Sequence, residues 1–511
     1  MKRARALARL WDPMTARLAP PLAAWFLLLV AACSDAVQPR PPYEVRIIAG
    51  GGSDTIDTRL TVTALALTSS GLPAPGLEVV FRESRGDGDS TAPPNLVLVN
   101  SLCCYGIVHD TTDQGGRASV TVQLGPAVGG GLVIVSVPGS AETDTAHFTT
   151  RPGAPVAIVA SPTDRPIAVS ASYQLDANLI DRRGNAVPGT PTFSTASSTI
   201  QLSPAGRVTG GTIGRASVAI HIGAFSDTAF ASVVPSGTIA MIDYSGFVGD
   251  SSGYAQMEVD GSRYRRLANT FVLPTEYAPS NAFEPVWIPG TDQFVHLRTV
   301  DGVSRLFVGD STGAARRLIA NPGSITGEVD PDVSPDGAWV YFIGNTAAGD
   351  RLWRVASSGG TPESLATGAV GMRSPSVSPD GNSIVYAAST AGDGTYHVYV
   401  HDLPTGTDRL VSANEAAGTR WSPTNEWILY AVSGPYPGYS GHLWIVRPDG
   451  TNDHELSDGA YYPGGSWSPD GKYILVIRAD GNLPPELIEV ASGTRLPLVY
   501  QRTWYGPAWR R

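Results

Sequence analysis

Apolar and polar residues alternate in short runs along most of the chain, and turn-forming residues separate these runs. Alternation with a period of two is typical of β-strands that have one buried face, whereas helices repeat every 3.6 residues. Between residues 43 and 151 the pattern predicts six strands, at 44–48, 59–67, 78–81, 118–124, 132–137 and 145–149. Because similar runs continue towards residue 511, the sequence predicts an all-β protein.

One apolar run near the N-terminus does not alternate. It extends for 11 residues, from Leu22 to Ala32, and the first 32 residues carry a net charge of +4. A helix that spans a bilayer needs about 20 apolar residues, so this run has the length of a signal-peptide core. The run ends in Val30-Ala31-Ala32-Cys33, which resembles the lipobox of bacterial lipoproteins.

The lipobox resemblance implies that residues 1–32 are a signal peptide and that Cys33 receives a diacylglycerol thioether. Cys33 would then be the mature N-terminus and would anchor the protein to a membrane of the bacterial cell envelope, at the outer membrane or cell surface. Residues 33–42 would form a short extended tether. The alternative is an ordinary secretory signal or a short anchor, in which the cysteine is incidental. A start at Met14 would give a signal peptide of more typical length.

Two segments after the tether carry the landmarks of bacterial Ig-like domains. In residues 43–151, the stretches 71–81 and 112–118 resemble invasin-type domains, which are β-sandwiches. In residues 152–235, Phe193 and the Gly206–Gly210 hairpin resemble a second class, found in surface proteins and adhesins. The resemblance implies two sandwiches that act as spacers and hold a terminal module away from the membrane.

Cys103 and Cys104 are adjacent in a predicted loop of the first sandwich. In an oxidising envelope they are candidates for a vicinal disulfide or for pairing between molecules, and the alternative is a pair of ordinary thiols. A zinc site would need more ligands than His109 supplies, so the sequence predicts no metal here.

The C-terminal segment, residues 236–511, contains an internal repeat. Each copy begins with a Trp or Val anchor, and in four copies a Ser-Pro turn follows the anchor. With a degenerate copy at Trp287 and a truncated one at Trp509, the six anchors are Trp287, Val333, Val377, Trp421, Trp467 and Trp509. The 42–46-residue period fits one four-stranded propeller blade. The turn sequence Ser-Pro-Asp-Gly suits a type I turn, because Pro fits its second position and Gly its fourth.

These repeats resemble TolB-type propellers, which implies a six-bladed β-propeller. The first hairpin, residues 239–267, has no anchor strand before it, and the last anchor, Trp509, has no hairpin after it. The two ends are therefore predicted to share one blade, which closes the ring and removes exposed sheet edges.

With four strands in each blade, the Ser-Pro-Asp-Gly turns lie on one face of the ring, and the second-to-third-strand loops and the blade connectors lie on the other. Long aromatic stretches gather on this second face, at 270–283, 435–442, 461–465 and 500–505. We expect ligand binding there, at a channel mouth rimmed by residues just before the anchors. These candidates are Glu284, Asp330, Arg373, Arg420, Tyr462 and Tyr505. The alternative is that they are solvated loop residues or blade-to-blade packing.

Charge and motifs narrow the functional classes. The net charge of −10 argues against nucleic acid, whose binding depends on cationic contacts with phosphates. His397 and His401 are four apart on a predicted strand, but two ligands do not make a metal site. The sequence shows no nucleophile elbow, HExxH or Walker motif, so it predicts no catalytic residue and no cofactor.

The leading hypothesis is therefore a lipid-anchored envelope protein whose propeller binds a protein, peptide or glycan on an Ig-like stalk. A propeller-based enzyme of the lyase or glycoside hydrolase type is one alternative. An adhesive or structural surface protein, in which the sandwiches carry the ligand, is the other.

Overall fold

The computed structural model describes residues 43–85, 96–99, 106–243, 253–266, 285–310, 314–319, 323–365, 369, 371–433, 441–461, 465–478, 484–500 and 504–510. Every regular element in these residues is a β-strand, which confirms the all-β fold class. The lipobox segment with Cys33, the tether, and the pair Cys103 and Cys104 lie outside the described residues. Within the described ranges, no helix is long and apolar enough to cross a membrane.

The chain divides into two compact units, Met1–Arg151 and Pro152–Arg511. The described strands of the first unit are β1 (Glu44–Ala49), β2 (Gly52–Thr55), β3 (Arg59–Leu67), β4 (Glu78–Arg85), β5 (Leu96–Leu98), β6 (Ile107–Thr111), β7 (Arg117–Leu124), β8 (Gly129–Ser136) and β9 (Thr143–Arg151). They form two sheets, with the orders β1-β3-β7-β5 and β2-β9-β8-β4-β6. Both sheets contribute to one apolar core, so the unit is a two-layer sandwich.

Strand β7 shows how the alternation produces this core. Its residues Ala118, Val120, Val122 and Leu124 are buried, and the residues between them are exposed or half-buried. They share the core with residues of the opposite sheet such as Phe81. A one-residue slip in register would exchange the two faces of the strand, and burial therefore fixes the pairing.

The second unit begins with ten strands, β10 (Pro155–Ser161), β11 (Asp164–Ala168), β12 (Ser172–Gln174), β13 (Asp176–Asp181), β14 (Ala186–Val187), β15 (Thr192–Ser194), β16 (Ile200–Leu202), β17 (Arg207–Gly210), β18 (Gly214–Ile222) and β19 (Phe225–Val234). They form three small sheets, with the orders β10-β13-β14, β11-β19-β18-β15 and β12-β17-β16. These sheets also enclose a single apolar core, to which Phe193 contributes as a partly buried side chain.

The rest of the second unit is a ring of six four-stranded sheets, which we number as blades 1 to 6. Blade 1 contains β20 (Thr238–Asp243), β21 (Gly253–Glu258), β22 (Arg265–Arg266) and the last strand, β43 (Trp504–Trp509). Blade 2 contains β23 (Val286–Trp287), β24 (Gln293–Val300), β25 (Val303–Asp310) and β26 (Ala315–Arg317). Blade 3 contains β27 (Gly327–Val333), β28 (Trp339–Thr346), β29 (Gly349–Ala356) and β30 (Glu363–Ser364).

Blades 4 to 6 repeat this arrangement. Blade 4 contains β31 (Gly371–Val377), β32 (Ser383–Ser389), β33 (His397–Asp402) and β34 (Thr407–Ser412). Blade 5 contains β35 (Ala416–Trp421), β36 (Ile428–Ser433), β37 (Gly441–Val446) and β38 (His454–Tyr461). Blade 6 contains β39 (Ser466–Trp467), β40 (Tyr473–Val476), β41 (Glu486–Glu489) and β42 (Arg495–Pro497).

The two ends of the propeller share blade 1, as the repeat count predicts. Strand β43 pairs antiparallel with β20, and Ile239 lies opposite Trp509. Apolar clusters join blade 1 to blade 6, through residues such as Met241 and Leu487, and to blade 2, through Tyr254 and Phe294. The ring is therefore closed by main-chain pairing and by apolar packing on both sides of the shared blade.

Strand registers assign each turn to a face of the ring. In blade 3, Val333 pairs with Val340 beside the Ser-Pro-Asp-Gly turn, whereas Gly327 pairs with Asn345 at the opposite end. The hairpin from β28 to β29 turns at that opposite end, since Thr346 pairs with Gly349. We call the face with the Ser-Pro-Asp-Gly turns the turn face, and the face with these hairpin loops the loop face.

Candidate binding site in the propeller channel

The innermost strands of the blades surround a narrow central channel. Innermost-strand residues of blades 1, 2, 3, 5 and 6 line a cavity of about 60 Å³, and these include Asp332 and Arg420. A cavity of this volume has room for a few water molecules or for one small group of a larger ligand. A ligand group that enters this cavity would therefore be in direct contact with the blade residues that line it.

Three consecutive blades carry a β-bulge at the same place in the innermost strand. The register shifts between Val329 and Asp332 in blade 3, and at the matching positions of blades 4 and 5. The residues with positive φ at these bulges are Asp330 (49°), Ser374 (52°) and Gly418 (67°). A bulge bends its strand and redirects the neighbouring side chains, so this wall of the channel differs from a regular ladder.

Polar side chains at these bulges bond to the innermost strand of the next blade. Asp330 Oδ2 accepts the Ser374 N–H at 2.7 Å, and Asp332 Oδ2 accepts the Val377 N–H at 2.7 Å. One blade further, Ser376 Oγ accepts the Trp421 N–H at 3.1 Å. The bulges therefore supply acceptors for backbone groups that no strand pairs, and the wall of blades 3 to 5 is held rigidly.

Asp330 lies in the electrostatic field of two arginines. Burial raises the pKa of the Asp330 carboxyl group, and the Ser374 N–H, Arg420 and Arg373 offset only part of this rise. The Arg373 guanidinium carbon lies 3.3 Å from the ring centroid of Tyr396, in a cation–π contact. Arg420 Nη1 donates to the Thr419 carbonyl oxygen at 3.0 Å. Both cations are thus held in positions from which they act electrostatically on the carboxyl group.

Asp330, Arg373 and Arg420 lie at different depths along the channel. Arg373 pairs with Ala387 near the loop face, whereas Arg420 pairs with Leu429 beside its anchor Trp421, towards the turn face. Asp330 occupies the bulge position between these two levels. We call these three residues the charged column, because they follow the channel wall instead of forming one rim.

The side chains of the other three predicted residues are not among those that the structure describes. Glu284 and Tyr462 lie outside the described residues, and Tyr505 lies in β43 but its side chain is outside them. Most of the aromatic stretches predicted for the loop face, including 270–283 and 435–440, are also outside the described residues.

Sequence reasoning missed several residues of this wall. Asp332, Ser376 and Thr419 are buried and bond between blades, and Thr419 Oγ1 donates to the Ser374 carbonyl oxygen. Their position in the repeat could have indicated them, because Asp332 and Ser376 each lie one residue before an anchor. Polar residues repeated at the blade period beside an apolar anchor predict contacts between blades.

The two histidines of β33, His397 and His401, lie within hydrogen-bonding distance of different residues. His401 is buried and its Nδ1 lies 2.8 Å from Asp408 Oδ1, which also accepts the Tyr386 hydroxyl at 2.6 Å. His397 Nδ1 lies 3.3 Å from the Asn414 carbonyl oxygen. Among the residues that the structure describes, no group of three His, Cys, Asp or Glu side chains has the geometry to hold a metal ion.

Comparison with known proteins agrees with the propeller resemblance. Residues 276–460 match the family PD40, described as a TolB beta propeller domain. A curated relative, the uncharacterized protein Atu1656 of Agrobacterium fabrum, is 29% identical over 164 residues, which cover 30% of this chain and 52% of that protein. The match thus spans about half the length of that relative.

Matches to solved structures at low sequence identity include two proteins described as TolB. TolB from Acinetobacter baumannii is 14% identical with a TM-score of 0.45, and the match covers 63% of this chain and 82% of that one. A putative TolB from Agrobacterium tumefaciens is 20% identical with a TM-score of 0.39, covering 53% and 92%.

Proposed function

We propose that this protein is a binding module of the bacterial cell envelope, and that its propeller captures a protein or peptide partner that enters the central channel from the loop face. The observation that carries the proposal is the charged column of Asp330, Arg373 and Arg420 on a rigid channel wall. The PD40 match over residues 276–460 supports a propeller of the TolB type. Fixed charges in a narrow opening favour a partner that inserts a polar side chain or chain end.

The finer proposal concerns how the propeller is presented. Lipid attachment at Cys33 would anchor the chain, the tether 33–42 would follow, and the segments 43–151 and 152–235 would be Ig-like domains that carry the propeller 236–511. Two sandwich-like segments before the propeller support this order. A glycan ligand, a propeller enzyme and an adhesive surface protein are the alternatives that the experiment below separates.

The proposal is tested by affinity capture from detergent-solubilised envelopes with the full chain as bait. The double variant Arg373→Gln, Arg420→Gln removes both cations of the charged column. Arg316→Gln is the matched control, because Arg316 is an exposed arginine on the outer strand of blade 2. We expect a specific partner with the parent and the control, and a loss of about tenfold or more in affinity with the double variant.

Circular dichroism and tryptophan fluorescence should show that the double variant is folded. If the double variant captured the partner as tightly as the control Arg316→Gln, the placement of the site would be contradicted. Absence of any specific partner would contradict the binding-module proposal and would favour glycan arrays, activity screens and tests of the two sandwiches.

A further inference from the structure

The last strand of the 152–235 segment leads directly into the propeller. Strand β19 ends at Val234 and β20 begins at Thr238, so only residues 235–237 join them. Strand β19 at first alternates exposed residues with half-buried or buried ones, but Ala231, Ser232, Val233 and Val234 are all buried. A strand end that is buried on both faces must pack against something besides its own sandwich.

Apolar contacts place the end of β19 at the junction where the ring closes. Val234 is fully buried in a cluster with Leu498, Ile239 and Trp509, and Ile213 packs against the same cluster. Ile239 belongs to the first strand of the ring and Trp509 to the last. Two residues of the sandwich segment therefore fill the core where blades 6 and 1 meet.

A chain of polar contacts accompanies the apolar ones. Ser232 Oγ donates to the Pro497 carbonyl oxygen of blade 6 at 3.3 Å, and Arg215 Nη1 donates to Ser232 Oγ at 3.3 Å. Arg215 Nη2 in turn pairs with Asp164 Oδ2 at 2.5 Å. Three strands of the sandwich segment are thus linked to the outer strand of blade 6.

The last residue of the connection, Gly237, has no space for a side chain. Gly237 has φ of 153°, and a Cβ atom there would lie 2.3 Å from Trp509 Nε1. Such a distance is far below van der Waals contact, and the backbone angle also disfavours any other residue. The connection is therefore built directly against the anchor of the ring-closing strand.

We infer that the segment 152–235 locks the closure of the propeller ring, so that this sandwich and the propeller unfold together. The ring closes in blade 1 by pairing of the six-residue strand β43 with β20. The sandwich covers this junction with Val234 and Ile213 and holds blade 6 through Ser232. It is therefore part of the folded propeller instead of an independent spacer.

Tryptophan fluorescence can test this lock in the full chain. Trp11 and Trp25 are the only tryptophans before residue 287, so changing both to Phe confines the signal to the propeller. Val218→Ala then opens a cavity in the core of the 152–235 sandwich, where Val218 is fully buried. Val122→Ala is the matched control, because Val122 is equally buried in the first unit.

We expect Val218→Ala to lower the midpoint of the tryptophan-monitored thermal transition by roughly 2–4 °C, and Val122→Ala to leave it unchanged. Gly237→Ala should lower the same midpoint by at least as much, since it forces Trp509 to move. An unchanged midpoint with Val218→Ala, when circular dichroism shows that the sandwich itself is destabilised, would overturn the inference.

Discussion

At the scale of single residues, the propeller keeps one histidine in an environment that opposes its protonation. His296 is 1% exposed and lies among the rings of Tyr254, Phe294 and Phe307. Burial, with a further contribution from Arg298, lowers the pKa of His296 to about 3, although the Leu297 carbonyl oxygen favours the proton. The neutral form is therefore part of the folded state between blades 1 and 2.

This environment predicts how stability depends on pH. The unfolded state takes up a proton on His296 below pH 6.5 and the folded state does so only near pH 3, so acidification favours unfolding between these values. The contribution of neutral His296 to the free energy of unfolding is complete above pH 6.5. Below that pH it falls by about 1.4 kcal/mol per pH unit. We expect urea titrations at pH 7.5 and 5 to show this loss in the parent.

The variant His296→Gln should lose less stability over the same pH interval, because glutamine does not titrate. His442→Gln is the control, since the His442 side chain is 37% exposed. Equal pH dependence of the parent and His296→Gln would contradict the assignment of the effect to His296.

At the scale of secondary-structure elements, the Ser-Pro-Asp-Gly turns repeat one hydrogen-bond pattern. In blade 4, Ser378 Oγ donates to Asp380 Oδ1 at 2.5 Å and accepts the Ser383 N–H at 2.9 Å. The Ser378 hydroxyl and the Asn382 N–H lower the pKa of Asp380. In blade 5 the turn is Ser-Pro-Thr-Asn, and Asn425 adopts the positive φ, 62°, that glycine has elsewhere. The serine and its hydrogen bond to the following strand are thus kept where the Asp-Gly pair is replaced, since Ser422 Oγ accepts the Trp427 N–H at 3.0 Å.

Removing that serine should destabilise the blade. Ser378 is fully buried, so Ser378→Ala leaves the Ser383 N–H without its acceptor. We expect a loss of about 1–2 kcal/mol in the free energy of unfolding, measured by urea titration. The control Ser492→Ala, in an exposed turn of blade 6, should change it by less than about 0.5 kcal/mol. A loss no larger than that of the control would show that the hydroxyl is dispensable.

The sequence predicts the blades well because an apolar anchor recurs at the blade period and, in blades 3 to 6, a Ser-Pro turn follows it. It does not predict the bulges of blades 3 to 5, since Asp330, Ser374 and Gly418 share no residue type and only the strand registers reveal their common position. The different levels of Arg373 and Arg420 follow instead from their offsets, because Arg373 lies four residues before the anchor Val377 and Arg420 lies directly before Trp421.

At the scale of the whole molecule, the sequence predicts the order of the parts better than their interfaces. The sandwich patterns and the propeller repeat are local signals, and each can be recognised from a short stretch. Packing of Val234 and Ser232 on blade 6 depends on residues more than 260 positions away.

The proposed lipid attachment at Cys33 would determine where the whole molecule acts, and it can be tested directly. We expect the parent chain to partition with membranes and into the detergent phase of a Triton X-114 separation. Cys33→Ser should move the chain to the aqueous phase, because serine cannot carry the thioether. Cys103→Ser is the control and should partition like the parent, and aqueous partitioning of the parent itself would contradict lipid attachment.

The sharing of blade 1 between β20 and β43 has a consequence for biosynthesis. Strand β20 is the first strand of the ring to be made and β43 is the last. At about 5–20 residues per second, β20 waits on the order of ten to fifty seconds for its partner. During this time its free edge is a target for chaperones and proteases, so a translation product that stops before β43 would be recognised as incomplete and degraded.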